Sequence, residues 1–144
     1  MPNIKETRGI IVTSFITALY FAGLLLMAFD DWRYQSVPAP LCDGWLVAVG
    51  SATLINCPVN LLYATAFSCG LGLFAWFSHG LGSADVIILA GTTCVFGVMT
   101  ALVTLLIATL CGILFAVCTN ARRIAFIPHL FIGTCLALCV QMWL

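Results

Sequence analysis

An all-α integral membrane fold of about six transmembrane helices is what this sequence predicts, and three observations lead there. Of its 144 residues, 63 % are hydrophobic and 7 % charged. A soluble domain carries about 25 % charged residues, so a chain this poor in charge has no solvated surface to present. The mean hydropathy is +1.18. The apolar residues also fall in runs divided by short polar breaks, several of them near the ~20 residues a helix needs to cross the hydrocarbon core. In lipid, segments of this length satisfy their backbone only as helices. The length suits one domain, residues 1–144, with no separate soluble module. The formal net charge is zero, and no basic run or aromatic-and-basic stripe points to nucleic acid.

The first run, Gly9 to Phe29, follows Lys5, Glu6 and Arg8. It has a spanning length rather than that of a signal-peptide core, and Met27-Ala28-Phe29-Asp30 offers no small-residue cleavage site, so a retained first helix is expected. A shorter run, about Leu41 to Asn56, is bracketed by Pro38, Pro40 and Cys57-Pro58. A third covers about Val59 to Ser78, and Gly80-Leu81-Gly82-Ser83-Ala84-Asp85 follows it. Val86 to Cys118 is one unbroken apolar stretch. As a single helix it would be roughly 50 Å long against a core of roughly 30 Å, so two helices with a tight turn near Gly97 to Thr100 are expected. After Thr119-Asn120-Ala121-Arg122-Arg123, a last helix runs from about Phe126 to Leu144. Trp32, Trp45, Trp76 and Trp143 lie near segment ends and read as interfacial anchors. Ala64, Ser68, Gly70 and Gly72 are small enough for close helix packing. The eight cysteines include no Cys-x-x-Cys pair, and most fall inside apolar runs. They read as small hydrophobes rather than zinc ligands, and no metal is expected.

Six spans place the first, third and fifth loops on one face, with Asp30, Asp31, Arg33, His79, Asp85, Arg122 and Arg123. Three basic residues there against Lys5 and Arg8 opposite tilt that face toward the cytoplasm. In a chain with five acidic residues, carboxylates at membrane boundaries are costly unless they do something. Two held close cannot both ionise and share one proton. One then activates water while the other, protonated, polarises a carbonyl, with no metal or cofactor. Blander readings compete. Asp30 and Asp31 could mark a helix end or the lipid boundary, and Asp85 could complement a helix dipole. Arg122 and Arg123 suit a topology signal, and His129, beside Pro128, an interfacial side chain. Neither histidine has a nucleophile at a fixed spacing, so no Ser/His/Asp or Cys/His constellation emerges. A small ion-coupled transporter with Asp31 and Asp85 as its ion site is the rival from another class. It would call for a mid-bilayer site and often a repeat, and neither is visible.

Gly80-x-Gly82-x-x-Asp85 at the mouth of a helix and Asp31-x-Arg33-x-x-x-Val37-Pro38 after the first helix resemble the type IV prepilin peptidases. These are bacterial leader peptidases related to the archaeal preflagellin peptidases. Arg123-Ile124-Ala125-Phe126-Ile127-Pro128-His129-Leu130 resembles the family's approach to its last span, and the three stretches occur in the family's order. The resemblance implies an aspartic endopeptidase with Asp31 and Asp85 as its catalytic dyad, on catalytic loops at the cytoplasmic face. Asp31 is preferred to Asp30 because its interval to Pro38 matches, and Asp30 is kept as a neighbour that tunes the pair. Arg33, Pro38, Gly80 and Gly82 would support the loops, while Arg122, Arg123 and Pro128 would contact substrate or set topology. The implied substrates are prepilin-like precursors, pilins and pseudopilins, cut where a basic leader meets an apolar helix. The implied place is the bacterial cytoplasmic membrane, crossed several times. Two departures stand out. Ile87 occupies a position where many relatives carry lysine, which leaves open an inactive relative acting in pilus or secretion assembly. The paired Cys-x-x-Cys motifs linked to N-methylation in longer relatives are missing, so cleavage without methylation is expected.

Overall fold

The computed structural model describes residues 4–56, 58–78, 82–119 and 125–143. Six helices follow one another: α1 (Ile4–Tyr34), α2 (Ala39–Asn56), α3 (Pro58–Ser78), α4 (Ser83–Phe96), α5 (Val98–Thr119) and α6 (Ile127–Trp143). No strand occurs among the described residues. Three helices are long and apolar enough to cross a membrane, over Val12–Tyr34, Val59–Phe77 and Val98–Thr119. The other three, α2, α4 and α6, are shorter apolar helices. Large apolar side chains such as Ile55, Leu62, Leu73, Phe77 and Val117 cover the outside. That surface suits lipid and not water, and it marks a membrane protein.

The long apolar stretch divides as its length requires. α4 stops at Phe96, α5 starts at Val98, and Gly97 between them takes a φ of 89°, open to a residue without Cβ. The corner wastes no backbone bonds. Gly97 N–H donates to the Thr93 carbonyl at 3.0 Å, and the Gly97 carbonyl accepts from Ala101 N–H at 3.2 Å.

α1 outruns its expected end. Asp30, Asp31, Trp32 and Arg33 are helical rather than part of a loop. Gln35 N–H still donates to the Asp31 carbonyl at 2.8 Å, and Gln35, at φ 50°, then ends the helix. None of these four residues breaks a helix, so their polarity marks the edge of the apolar run and not the end of the helical backbone. The expected catalytic loops are corrected accordingly: Asp31 stands on the last turns of α1 and Asp85 inside the first turn of α4.

α4 is the hub. Every residue from Ile88 to Cys94 is buried, and the helix packs against α1, α2, α3 and α5. A short helix apolar all round suits that position. Tyr20 ties the interior together, its hydroxyl 2.8 Å from Thr92 Oγ1 of α4 and 3.4 Å from Thr134 Oγ1 of α6.

Close approach of helices rests on glycines other than those expected. A Cβ on Gly70 or Gly72 would meet nothing within 4 Å. On Gly133 it would come within 2.7 Å of the Thr104 carbonyl oxygen of α5. On Gly23 of α1 or Gly91 of α4 it would run into the indole of Trp45. Trp45 is therefore no interfacial anchor. It is 7 % exposed, wedged between two helices whose glycines make room for it, whereas Trp32, Trp76 and Trp143 are exposed.

Candidate active site

Alternating helix directions bring the C-terminal ends of α1, α3 and α5 and the starts of α2, α4 and α6 to one end of the bundle. Asp30, Asp31, Asp43 and Asp85 all belong to that end, four of the five acidic residues in the chain.

Asp31 is 8 % exposed. Its Oδ2 accepts the backbone N–H of Ile127, the first residue of α6, at 3.0 Å. The start of α6 explains this contact. The Phe126 carbonyl accepts from His129 and Leu130 N–H at 3.0 and 3.1 Å, but a phenylalanine side chain cannot cap a helix. Pro128 has no N–H to satisfy. The Ile127 amide is an orphan donor of the first turn, and Asp31 supplies its acceptor from another helix.

Asp85 is anchored locally. Its Oδ2 accepts Gly82 N–H at 3.2 Å, while the Gly82 carbonyl accepts from Asp85 and Val86 N–H at 3.2 and 3.3 Å. This is the reach-back half of a capping box. Gly82 suits it sterically, because a Cβ there would sit 3.0 Å from Asp85 Oδ2. Asp85 lies in the turn ahead of the apolar run that starts at Val86. Burial pushes its carboxyl up to about 6, the Gly82 amide opposes that rise, and the Asp31 charge adds to it. The two carboxylates thus lie within electrostatic reach of each other. Cys42, buried at the start of α2, donates to Met27 Sδ of α1 at 3.6 Å and also lies within reach of the Asp85 charge.

The surrounding residues take varied places. Asp30 follows the helix round to a different side and lines a cavity of about 320 Å³ with Tyr34, Ser36, Val37 and Pro38. The Arg33 guanidinium lies 5.4 Å from the centre of the Tyr34 ring. The Pro38 carbonyl accepts the first amides of α2, from Leu41 at 3.0 Å and Cys42 at 3.4 Å. Ile87 packs, half-buried, against the core. Pro128 lines an outward-facing cavity of about 280 Å³ with Phe29 and Trp32. His79, Gly80, Arg122 and Arg123 lie outside the described residues. Among the described residues, no three His, Cys, Asp or Glu side chains gather as a metal site.

Two residues at this end were not singled out from the sequence as functional. Asp43 is exposed on the second turn of α2, and plain counting of carboxylates would have found it. His129 is 7 % exposed and not interfacial. Its charge reaches Asp31, and nothing local in the sequence signals that.

The model of the type IV leader peptidase family matches residues 18–117, from the middle of α1 almost to the end of α5. The chain belongs to the type IV leader peptidase family. The matched stretch holds both Asp31 and Asp85, while the turn that delivers the Ile127 amide lies beyond it. No curated protein and no solved structure matches the chain. For a leader peptidase family member, the buried end of the bundle with Asp31 and Asp85 is the candidate active site.

Proposed function

We propose that the protein is a membrane aspartic endopeptidase that removes the basic leader from type IV prepilin-like precursors, with Asp31 and Asp85 as its dyad. One observation carries this reading. Two carboxylates from different helices share one end of the bundle, each tied by Oδ2 to a backbone amide, and the charge of one acts on the other. Such tethering leaves the second oxygen of each carboxylate for water and the shared proton.

Asp85, pushed up to about 6, is the partner suited to hold the proton, and Asp31 is then the base. Water attacks the scissile carbonyl carbon as its proton passes to Asp31, and Asp85 gives its proton to the carbonyl oxygen. When the tetrahedral intermediate collapses, the C–N bond breaks, the proton on Asp31 goes to the departing amine, and one hydroxyl of the intermediate returns its proton to Asp85, leaving a carboxylic acid and the singly protonated pair. The pair titrates as a unit, so the two roles belong to its singly protonated state.

The substrate geometry follows. An apolar precursor helix lies beside the bundle in lipid while its basic leader meets the polar end. Four aspartates stand at that end, and although Arg33, with Arg122 and Arg123 that the sequence puts on the same face, partly offsets them, the uncompensated carboxylates favour a basic peptide. On this reading the site works at the cytoplasmic interface of a bacterial inner membrane that the chain crosses several times. Ile87, apolar and packed against the core, favours a second reading: an inactive relative that serves pilus or secretion assembly.

Co-expression with a prepilin-type precursor, read by the precursor's mobility shift, tests the proposal. Cleavage is expected from the wild type and from Asp30→Asn, and none from Asp31→Asn or Asp85→Asn. Cleavage surviving either dyad substitution would overturn the assignment, and a wild type that cleaves none of several precursors would favour the inactive relative.

A further inference from the structure

We infer that His129 is a positioning residue for Asp31, bracing the backbone turn whose amide the carboxylate grips; this rests on the reading of Asp31 as a dyad member. His129 is the third residue of α6, and its ring folds back over the start of its own helix. Nδ1 lies 2.9 Å from the Ala125 carbonyl oxygen. A carbonyl only accepts, so Nδ1 carries the proton. The Ala125 carbonyl belongs to the Ala125–Phe126 peptide, and holding it steadies the plane that adjoins the Phe126–Ile127 peptide, whose N–H is aimed at Asp31 Oδ2, 3.0 Å away.

The ring is itself held. It meets Phe115 of α5 edge-on, with centroids 5.4 Å apart and planes at 63°. Phe115 lies 6.4 Å from the ring of Trp32, the neighbour of Asp31 in α1. The Phe126 ring sits where Gly112 of α5 has no side chain, 3.7 Å from the position a Cβ would occupy. The turn that anchors Asp31 is therefore clamped on α5 at two points, Phe115 and Gly112. The burial of His129 at 7 % exposure is explained by this brace. The imidazole charge also reaches Asp31, so a purely electrostatic role is the alternative that a test must separate.

His129→Asn places an uncharged amide donor where Nδ1 stands, and His129→Phe keeps a ring against Phe115 without a donor. With purified protein and a prepilin-type precursor, His129→Phe is expected to lower kcat roughly 10- to 100-fold, with KM little changed. His129→Asn, which keeps the bond and loses the ring, is expected to retain kcat within about fivefold of wild type, roughly the worth of the edge contact with Phe115. Wild-type kcat in His129→Phe, or a loss in His129→Asn as large as in His129→Phe, would overturn the brace. If His129→Phe fails to fold, His129→Gln, whose amide reaches the other ring position, replaces it with the same expected loss. Amide hydrogen exchange at Ile127 in micelles supplies a readout independent of cleavage. It should quicken in His129→Phe or His129→Gln and stay slow in His129→Asn, and equal exchange in wild type and variants would overturn the inference. A wild type that cleaves no precursor would sink the functional reading alone, because the exchange comparison still decides the brace.

Discussion

Replacing Gly91 with alanine adds one methyl group to the hub helix of the bundle, at the face where α4 meets Trp45. In an isolated helix the change would stabilise by about 1 kcal/mol. Here the new Cβ would lie 2.6 Å from Trp45 Cζ3 and still nearer to Cη2. The ring has nowhere to retreat, since its Cδ1 and Nε1 edge rests on Gly23 of α1. Either the indole leaves its rotamer or α4 moves away from α2. Overpacking of this kind typically costs about 1–3 kcal/mol, so against the helix-propensity gain a net destabilisation of about 1 kcal/mol is expected. The effect on activity should be larger. Gly91 is six residues from Asp85, about 9 Å along the helix, and a wedge there tilts Asp85 relative to Asp31. A displacement of about 1 Å can cost as much as ~100-fold in rate. Reversible unfolding in mixed micelles and precursor cleavage at matched folded protein separate the two effects. Trp45→Leu in the same chain should recover part of the activity, giving less than the summed losses of the single variants. A Gly91→Ala protein more stable than wild type, with cleavage unchanged, would refute the wedge.

Gly133→Ala sets a methyl 2.7 Å from the Thr104 carbonyl oxygen and 3.2 Å from the Ala108 nitrogen. Backbone cannot yield as a side chain can, so a loss of about 2–3 kcal/mol is expected, read as a lower thermal midpoint. Tyr20→Phe should cost only about 1 kcal/mol, because Thr92 and Thr134 keep their bonds to the Ile88 and Leu130 carbonyls at 2.9 and 2.8 Å; a much greater loss in denaturant unfolding would contradict that accounting. The pH profile follows from Asp85. With its carboxyl raised to about 6, the protonated form persists up to that pH, so kcat/KM should fall as pH rises through and beyond about 6. A rate still climbing at pH 8 would contradict Asp85 as the proton donor.

Where the helices lie was readable because lipid imposes a length: the stretch from Val86 could not be one span, and Gly97 was the residue able to turn. The end of α1 was not, since Asp30 to Arg33 are polar enough to look like a loop and ordinary enough to remain helical, and only the positive φ of Gln35 shows where the helix stops. Asp85 and Gly82 were legible together because their interaction spans three residues. Trp45 was misread because tryptophan near a helix end usually means an interface, and its burial depends on glycines in two other helices. His129 was misread for a similar reason. The partners that explain it, Phe115 and Asp31, come from elsewhere in the chain, and no periodicity brings them next to it.

The two carboxylates are anchored in unequal ways, and this has consequences for how the site fails. Asp85 takes its amide from Gly82, three residues back in its own turn, so it keeps its orientation as long as the start of α4 is formed. Asp31 takes its amide from Ile127, 96 residues on, so its orientation depends on α6 being seated against α5. Changes that part α5 from α6, such as Gly133→Ala, should therefore reach the dyad through Asp31 and leave Asp85 in place. The stretch by which the family is recognised ends at residue 117, before the turn that holds Asp31. In this chain the first carboxylate is carried inside the family match, and the amide that orients it lies outside.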